Sequence, residues 1–172
     1  MFVRRRHALI TLVAAALLTS GCGSPASPPI PETTAAAPSP TDSASAAFAA
    51  AEATYRAYVD ALNAVDLADP TTFEPVYALT TGEVQEADRR NLTRYHDNGV
   101  ILNGSSVIAS TTYDTRSQSL HACLDVSAVN LTAPDGSSLV DPDRLPVQSL
   151  VISFDDAVSR IVRIEAKEAN EC

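Results

Sequence analysis

The sequence predicts an α+β fold: N-terminal helices packed on a curved antiparallel sheet of about four strands, a cone-like arrangement. Two observations carry this expectation. Apolar residues first recur at spacings of three and four, and then, beyond Gly99, at a spacing of two. Each alternating segment also has only one apolar face, as in an antiparallel sheet covered on one side. Helices first and strands afterwards is the α+β order. From Ser45 to Cys172 the chain has roughly 130 residues, enough for one domain around a single core.

The first helix is expected from a cap at Ser43 or Ser45 to about Asp66. Its apolar stripe is Phe48, Ala51, Tyr55, Tyr58 with Val59, Leu62 and Val65, and Pro70 enforces the break. Thr71 or Thr72 then caps a short helix to about Leu79. Thr80 with Glu83 has capping-box spacing for a third helix, Gly82 to Asp97, stopped by Asn98-Gly99. Charged residues dominate that helix, including Glu83, Glu86, Asp88, Arg89 and Arg90. Only Val84, Ala87, Leu92 and Tyr95 offer a face to bury.

The first long strand carries Val107, Ala109, Thr111 and Tyr113 on one face, and the second Leu120, Ala122, Leu124, Val126 and Ala128. Pro134-Asp135-Gly136 marks a turn with strand on both sides. Leu150, Ile152 and Phe154 define a third strand. Val158, Val162, Ile164 and Ala166 define a fourth, joined to the third around Asp155-Asp156.

Ahead of this domain lies an address. Arg4-Arg5-Arg6 precedes an apolar run from Ala8 to Leu18 and then Thr19-Ser20-Gly21-Cys22. A charged start, an apolar stretch and small residues before a cleavage point form a secretory signal. The run is far shorter than the ~20 residues of a membrane span. With Cys22 directly after Ser20-Gly21, the segment resembles the signal peptides of bacterial lipoproteins, although Thr19 stands where such boxes usually carry Leu, Val or Ile. The resemblance implies cleavage after residue 21, acylation of the Cys22 thiol and a lipid anchor on the extracytoplasmic face of the cell membrane. Two or three acyl chains anchor stably, at roughly 0.8 kcal/mol per buried methylene.

Residues 22–44 are then a lipidated cysteine and a tether of Pro, Ser, Thr and Ala. The tether lacks the apolar mass to offset ordering entropy and is expected to be disordered. At about 3.1 Å per residue it reaches roughly 60–70 Å. Its Ser and Thr beside Pro resemble the mannosylated stalks of some actinobacterial lipoproteins; an unmodified spacer is the alternative. With Cys22 acylated, two of the three cysteines remain. In an exported domain Cys123 and Cys172 are expected to form a disulfide that pins the end of the chain.

The chain has 12 basic and 21 acidic side chains and a net charge of −9, which becomes −12 once Arg4, Arg5 and Arg6 leave with the signal. Such an acidic surface argues against nucleic acid and anionic headgroups as partners, because both would repel it. No cysteine or histidine spacing suits a metal, and no phosphate-cradling loop, nucleophile elbow or Ser-Xaa-Xaa-Lys motif is present. No cofactor, metal or catalytic residue is therefore assigned. His121 belongs to the polar face of its strand beside Cys123. His96 is a cation suited to a helix C-terminus. Asp60, Asp114 and Asp125 read as solvated charges.

Three helices followed by about four strands resemble the nuclear-transport-factor-2-like, or cystatin-like, cone. Tyr55-Arg56-Ala57-Tyr58, Phe73-Glu74-Pro75-Val76-Tyr77, Cys123-Leu124-Asp125-Val126-Ser127 and Cys172 further resemble uncharacterised actinobacterial lipoproteins of that fold. The resemblance implies a cone that serves as enzyme pocket, ligand pocket or protein-binding face, so the fold leaves function open. The favoured expectation is a binding module for an envelope protein or an apolar small molecule. Tyr55, Tyr58, Phe73, Tyr77 and Tyr95 are candidate pocket residues, with plain core packing as their alternative. An isomerase- or dehydratase-like enzyme, or a structural spacer like the cone domain attached to some penicillin-binding proteins, are the other readings.

Overall fold

A computed structural model describes residues 40–167 and 171–172; the signal, Cys22 and most of the tether lie outside the described residues. Helix α1 spans Pro40–Asn63. It starts ahead of the expected serine caps and five residues before the expected domain boundary. Proline suits a first helical turn, where its missing N–H leaves nothing unpaired. The helix ends three residues before Asp66. There Asp66 accepts from the Ala68 amide at 2.9 Å, and its own amide donates to the Thr72 hydroxyl at 3.0 Å, turning the chain away.

A 3₁₀ turn at Pro70–Phe73 is capped by Asp69, which accepts from the Thr71 amide at 3.0 Å, and leads into the short helix α2, Glu74–Ala78. Helix α3 covers Gly82–Asp97, as expected, but the capping box is not formed. The N-cap is Thr81, without a side-chain hydrogen bond, whereas Thr80 is fully buried with its hydroxyl turned to the Val76 carbonyl at 3.3 Å. Gln85 instead ties the start of α3 to the preceding segment, its Nε2 donating to the Tyr77 and Thr80 carbonyls at 2.7 and 3.0 Å. At the other end Gly99, at φ +63°, donates to His96 and Val100 donates to Tyr95, both at 2.9 Å. These are the two bonds of a Schellman cap, and they need the left-handed residue that glycine provides.

The main sheet is antiparallel, in the order β2 (Val107–Asp114), β3 (Ser119–Asp125), β5 (Val147–Phe154), β6 (Ile161–Ala166). Its inner face pairs Thr111 with Ala122, Leu120 with Ile152, and Ile152 with Ile164. The buried stripe of α1, with Ala51, Tyr55 and Val59, joins these residues, Phe73 and Val76 in one core. The fold is therefore α+β, three α-helices on one face of a four-stranded sheet bent by bulges in β2 and between Ser153 and Phe154.

Three strand expectations change. A bulge between Ile108 and Ser110 inserts one extra residue into β2, so the expected inward face reverses below it. Ile108 turns inward and Val107 is 61% exposed. Val158 lies in a turn at φ +52°, where its carbonyl accepts from Thr54 at 2.7 Å. Ile161 opens β6 instead, fully buried, and exchanges backbone hydrogen bonds with Leu79 and Thr81 at 2.8 and 2.9 Å. Finally, β1 (Ile101–Asn103) and β4 (Asn130–Thr132) form a separate two-stranded sheet that the sequence did not announce. The Pro134-Asp135-Gly136 turn follows β4, but across it stands only a single bridge, Thr132 to Ser138.

On the outer face, the Lys167 amide donates to the Ser149 carbonyl at 2.9 Å. Cys172 joins Cys123 in the expected disulfide, with Cα atoms 5.7 Å apart. The last residue of the chain is thus fixed to a central strand.

Candidate functional site

Where the small sheet meets the main one, the helices do not fill the space between them. The result is an apolar pocket of about 230 Å³, partly open to solvent. The end of α1 supplies Leu62 and Asn63, the following loop Val65 and Leu67, and α3 supplies Leu92 and Tyr95. Leu102 and Leu131, directly opposed across β1 and β4, close it from the small sheet, and Leu124, Val126 and Val129 from the β3–β4 segment.

Three local devices hold these walls. The Schellman cap turns the chain from α3 into β1. His96, in the last turn of α3 where it was expected, is also part-buried: its Nδ1 donates to the Leu67 carbonyl at 2.8 Å and its ring meets Phe73 edge-on at 6.4 Å. It thereby ties the α1–α2 loop to α3. Gly104, at φ +78°, lies against the β3–β4 connection, where an added Cβ would stand 1.9 Å from the Ala128 carbonyl oxygen. Only glycine fits there.

The polar members of the wall are few. Asn63, Gly104 and Ser106 form one stretch of rim. Asn63 Nδ2 donates to the Ser106 carbonyl at 2.9 Å, while the Ser106 amide and hydroxyl donate to Asn63 Oδ1 at 2.9 and 3.0 Å. No carboxylate, imidazole or amine lines the cavity.

Of the five aromatic residues expected at a pocket, only Tyr95 lines it. Tyr55, Tyr58, Phe73 and Tyr77 are between 1% and 6% exposed and pack in the core, the first two on the buried stripe of α1 and the others on the 3₁₀ turn and α2 that lie beside it. His121 lies on the outer face in a shallow polar hollow with Cys123 and Glu171. Asp114 and Asp125 brace turns, accepting from the Arg116 and Ser127 amides at 2.8 and 2.9 Å. Asp60 is exposed on α1. Among the described residues no cluster of His, Cys, Asp and Glu could hold a metal, and no helix is long and apolar enough to cross a membrane.

The most perturbed carboxylate is Asp88 of α3. Tyr58 donates to its Oδ1 at 3.1 Å, and its Oδ2, like the Tyr55 hydroxyl, is buried without a hydrogen-bond partner. Burial pushes the Asp88 carboxyl up to about 6, against the opposing pull of the Tyr58 and Thr80 hydroxyls. Burial likewise raises both tyrosines. Sequence reasoning passed over Asp88 as one charge among many. Its position four residues from both Val84 and Leu92, on the narrow apolar face, was the available signal. Tyr55 and Tyr58 belong to the core, Asp88 is part-buried at its edge, and none of the three lines the pocket.

No family model and no curated protein matches the chain. Solved structures give distant likenesses. One is a protein of unknown function with a cystatin-like fold from Methylobium petroleophilum, at TM-score 0.41 and 16% identity, covering 73% of this chain and 82% of that one. Another is a de novo designed β-sheet protein, at TM-score 0.34 and 13% identity, covering 73% and 91%. At these scores neither bears on the site, whose reading rests on its own geometry.

Proposed function

We propose that this chain is an extracytoplasmic lipoprotein, anchored through acylated Cys22, whose α+β domain binds one small, uncharged, largely apolar molecule. The supporting observation is the cavity between α1, α3 and the small sheet, about 230 Å³ and walled by leucine and valine. An apolar cavity of about 150 Å³ stays dry and takes up benzene. Drug-sized ligands need roughly 300 Å³ or more. The volume therefore selects a compact guest. An isomerase or dehydratase needs an acid or base at the reacting carbon, and Asp88, the carboxylate raised to about 6 among the described residues, lies outside the pocket.

Toluene titrated into the protein and followed by methyl NMR tests the ligand reading. Shifts confined to Leu92, Leu102, Leu124 and Leu131, abolished by Leu131→Trp, support it; no saturable shift sinks it. Capture of one envelope protein by cross-linking in cells, with no toluene binding, favours the protein-binding alternative. The anchor is tested separately: Cys22→Ala is expected to move the protein from the membrane fraction to the soluble one.

A further inference from the structure

The outer face of the main sheet carries the Cys123–Cys172 bond. Ser110, Cys123 and Ser149 are direct partners across β2, β3 and β5, and Thr112, His121 and Val151 form the next row. Cys123 is part-buried on an interior strand, whereas Cys172 is exposed. A hollow of about 130 Å³ lies beside the bond, lined by Ser110, Thr112, His121, Cys123, Ser149 and Glu171. Among the described residues, Glu171 has one hydrogen-bond partner, Lys167 at 2.5 Å, so the disulfide is what fastens Cys172 to the sheet. Exposed disulfides of this kind are the labile ones, since exchange depends on access to a sulfur.

We propose that Cys123–Cys172 is a thiol-exchange site, opened in the folded protein by a vicinal dithiol. This is independent of the apolar pocket. A thiolate of the dithiol attacks Cys172 Sγ, the accessible sulfur, and the S–S bond breaks. Cys123 leaves as a thiolate and takes one proton. The second thiol, having lost its proton, displaces Cys172 from the mixed disulfide, so the reductant closes its own ring and both cysteines end as thiols. Two electrons pass from the dithiol to the cystine. Of the groups lining the hollow, His121 is the one suited to give Cys123 its proton near neutral pH. It lies two positions along β3 on the same face. The charged groups around it are Asp114 on β2, Glu171 with its partner Lys167, and Glu165 on β6 beyond Val151. Opening the bond unfastens Glu171 and Cys172 and bares the Ser110–Cys123–Ser149 row, while the strands stay paired.

The full-length Cys22→Ala chain, in which this pair are the remaining cysteines, is treated with increasing dithiothreitol in native buffer. Thiols are trapped with N-ethylmaleimide and located by mass spectrometry. The rate should rise in proportion to dithiol, with an unchanged circular dichroism spectrum. Glutathione in its place should be found on Cys172, with the maleimide on Cys123. In the reduced protein the Lys167 amide, which bonds to Ser149, should exchange faster, and those of Leu120 and Ile152 should not. His121→Gln should slow reduction roughly tenfold, less than general acids usually achieve because solvent also supplies protons; Thr112→Ala should not slow it. Reduced thioredoxin reacting faster per mole than dithiothreitol assigns the dithiol to a protein, and the reverse order to a small molecule. A rate that levels off at the unfolding rate measured in urea overturns the proposal, because the bond is then reached only in the unfolded chain. Glutathione found on Cys123 overturns the direction of attack, and a wild-type rate in His121→Gln removes the histidine from the step.

Discussion

The Tyr58 hydroxyl of α1 donates to Asp88 Oδ1 of α3 at 3.1 Å, joining two helices through a carboxyl that burial holds at about 6 instead of 3.8. The raised value means that the folded protein keeps a proton that the unfolded chain releases between about pH 4 and 6. Stability from this group is complete below the lower value and is lost as pH rises through the upper one. Asp88 is not wholly enclosed, so with solvent screening the loss is on the order of 1–2 kcal/mol. Urea unfolding from pH 4 to 8 should show that decline, and Asp88→Asn, which still accepts from Tyr58, should remove it.

Cutting the Cys123–Cys172 bond should lower stability without changing the fold. It closes a loop of 49 positions, for which chain entropy gives about 4 kcal/mol. In a domain of this size that is a fall in melting temperature of about 10–15 °C. Cys123→Ser with Cys172→Ser, compared with wild type by calorimetry and circular dichroism, should show this fall with unchanged helix and strand content.

Gly104→Ala places a carbon where the Ala128 carbonyl oxygen already sits, at 1.9 Å, on a backbone that L side chains rarely adopt. The β1–β2 loop must move, at a cost on the order of 2 kcal/mol or more. Chemical denaturation gives the cost. Amide exchange should rise at Asn103–Ser106 and stay at wild-type levels in β5.

Leu92 is the one buried apolar residue of α3 and lines the pocket. Leu92→Ala should cost about 2–5 kcal/mol, since the space it leaves adds to space already empty. The same variant should bind naphthalene more tightly than wild type does. A stability loss without this gain would mean that the walls collapse inward.

The helical half of the molecule was legible because its stripes are long: Ala51, Tyr55, Tyr58 and Val59 mark the buried face of α1, and Asn98-Gly99 marks the end of α3. The face of β3 was equally plain in Leu120, Ala122 and Leu124. What failed was local and short. One inserted residue near Ala109 inverted the reading of Val107, and no alternation pattern marks an insertion in advance. The three-residue strands β1 and β4 lie below the length at which periodicity speaks, and they supply Leu102 and Leu131. The pocket was hidden because its patterned walls, Leu62, Leu92, Tyr95 and Leu124, read as ordinary core positions, and the small sheet that completes it carries no pattern of its own. The aromatic residues that drew attention had a better use in the core, where large side chains gain most from burial.

The inserted residue in β2 has a further consequence. β2 borders the main sheet, and among the described residues it pairs only with β3. Its sequence, Val107–Asp114, has one charge and no proline, the kind of border that invites foreign strands to add on and seed aggregates. An incoming chain finds straight backbone only from Ser110 to Asp114, then a step of one position at which its own side chains would have to swap faces. Geometry here guards against self-assembly in the place where other sheets post a lysine.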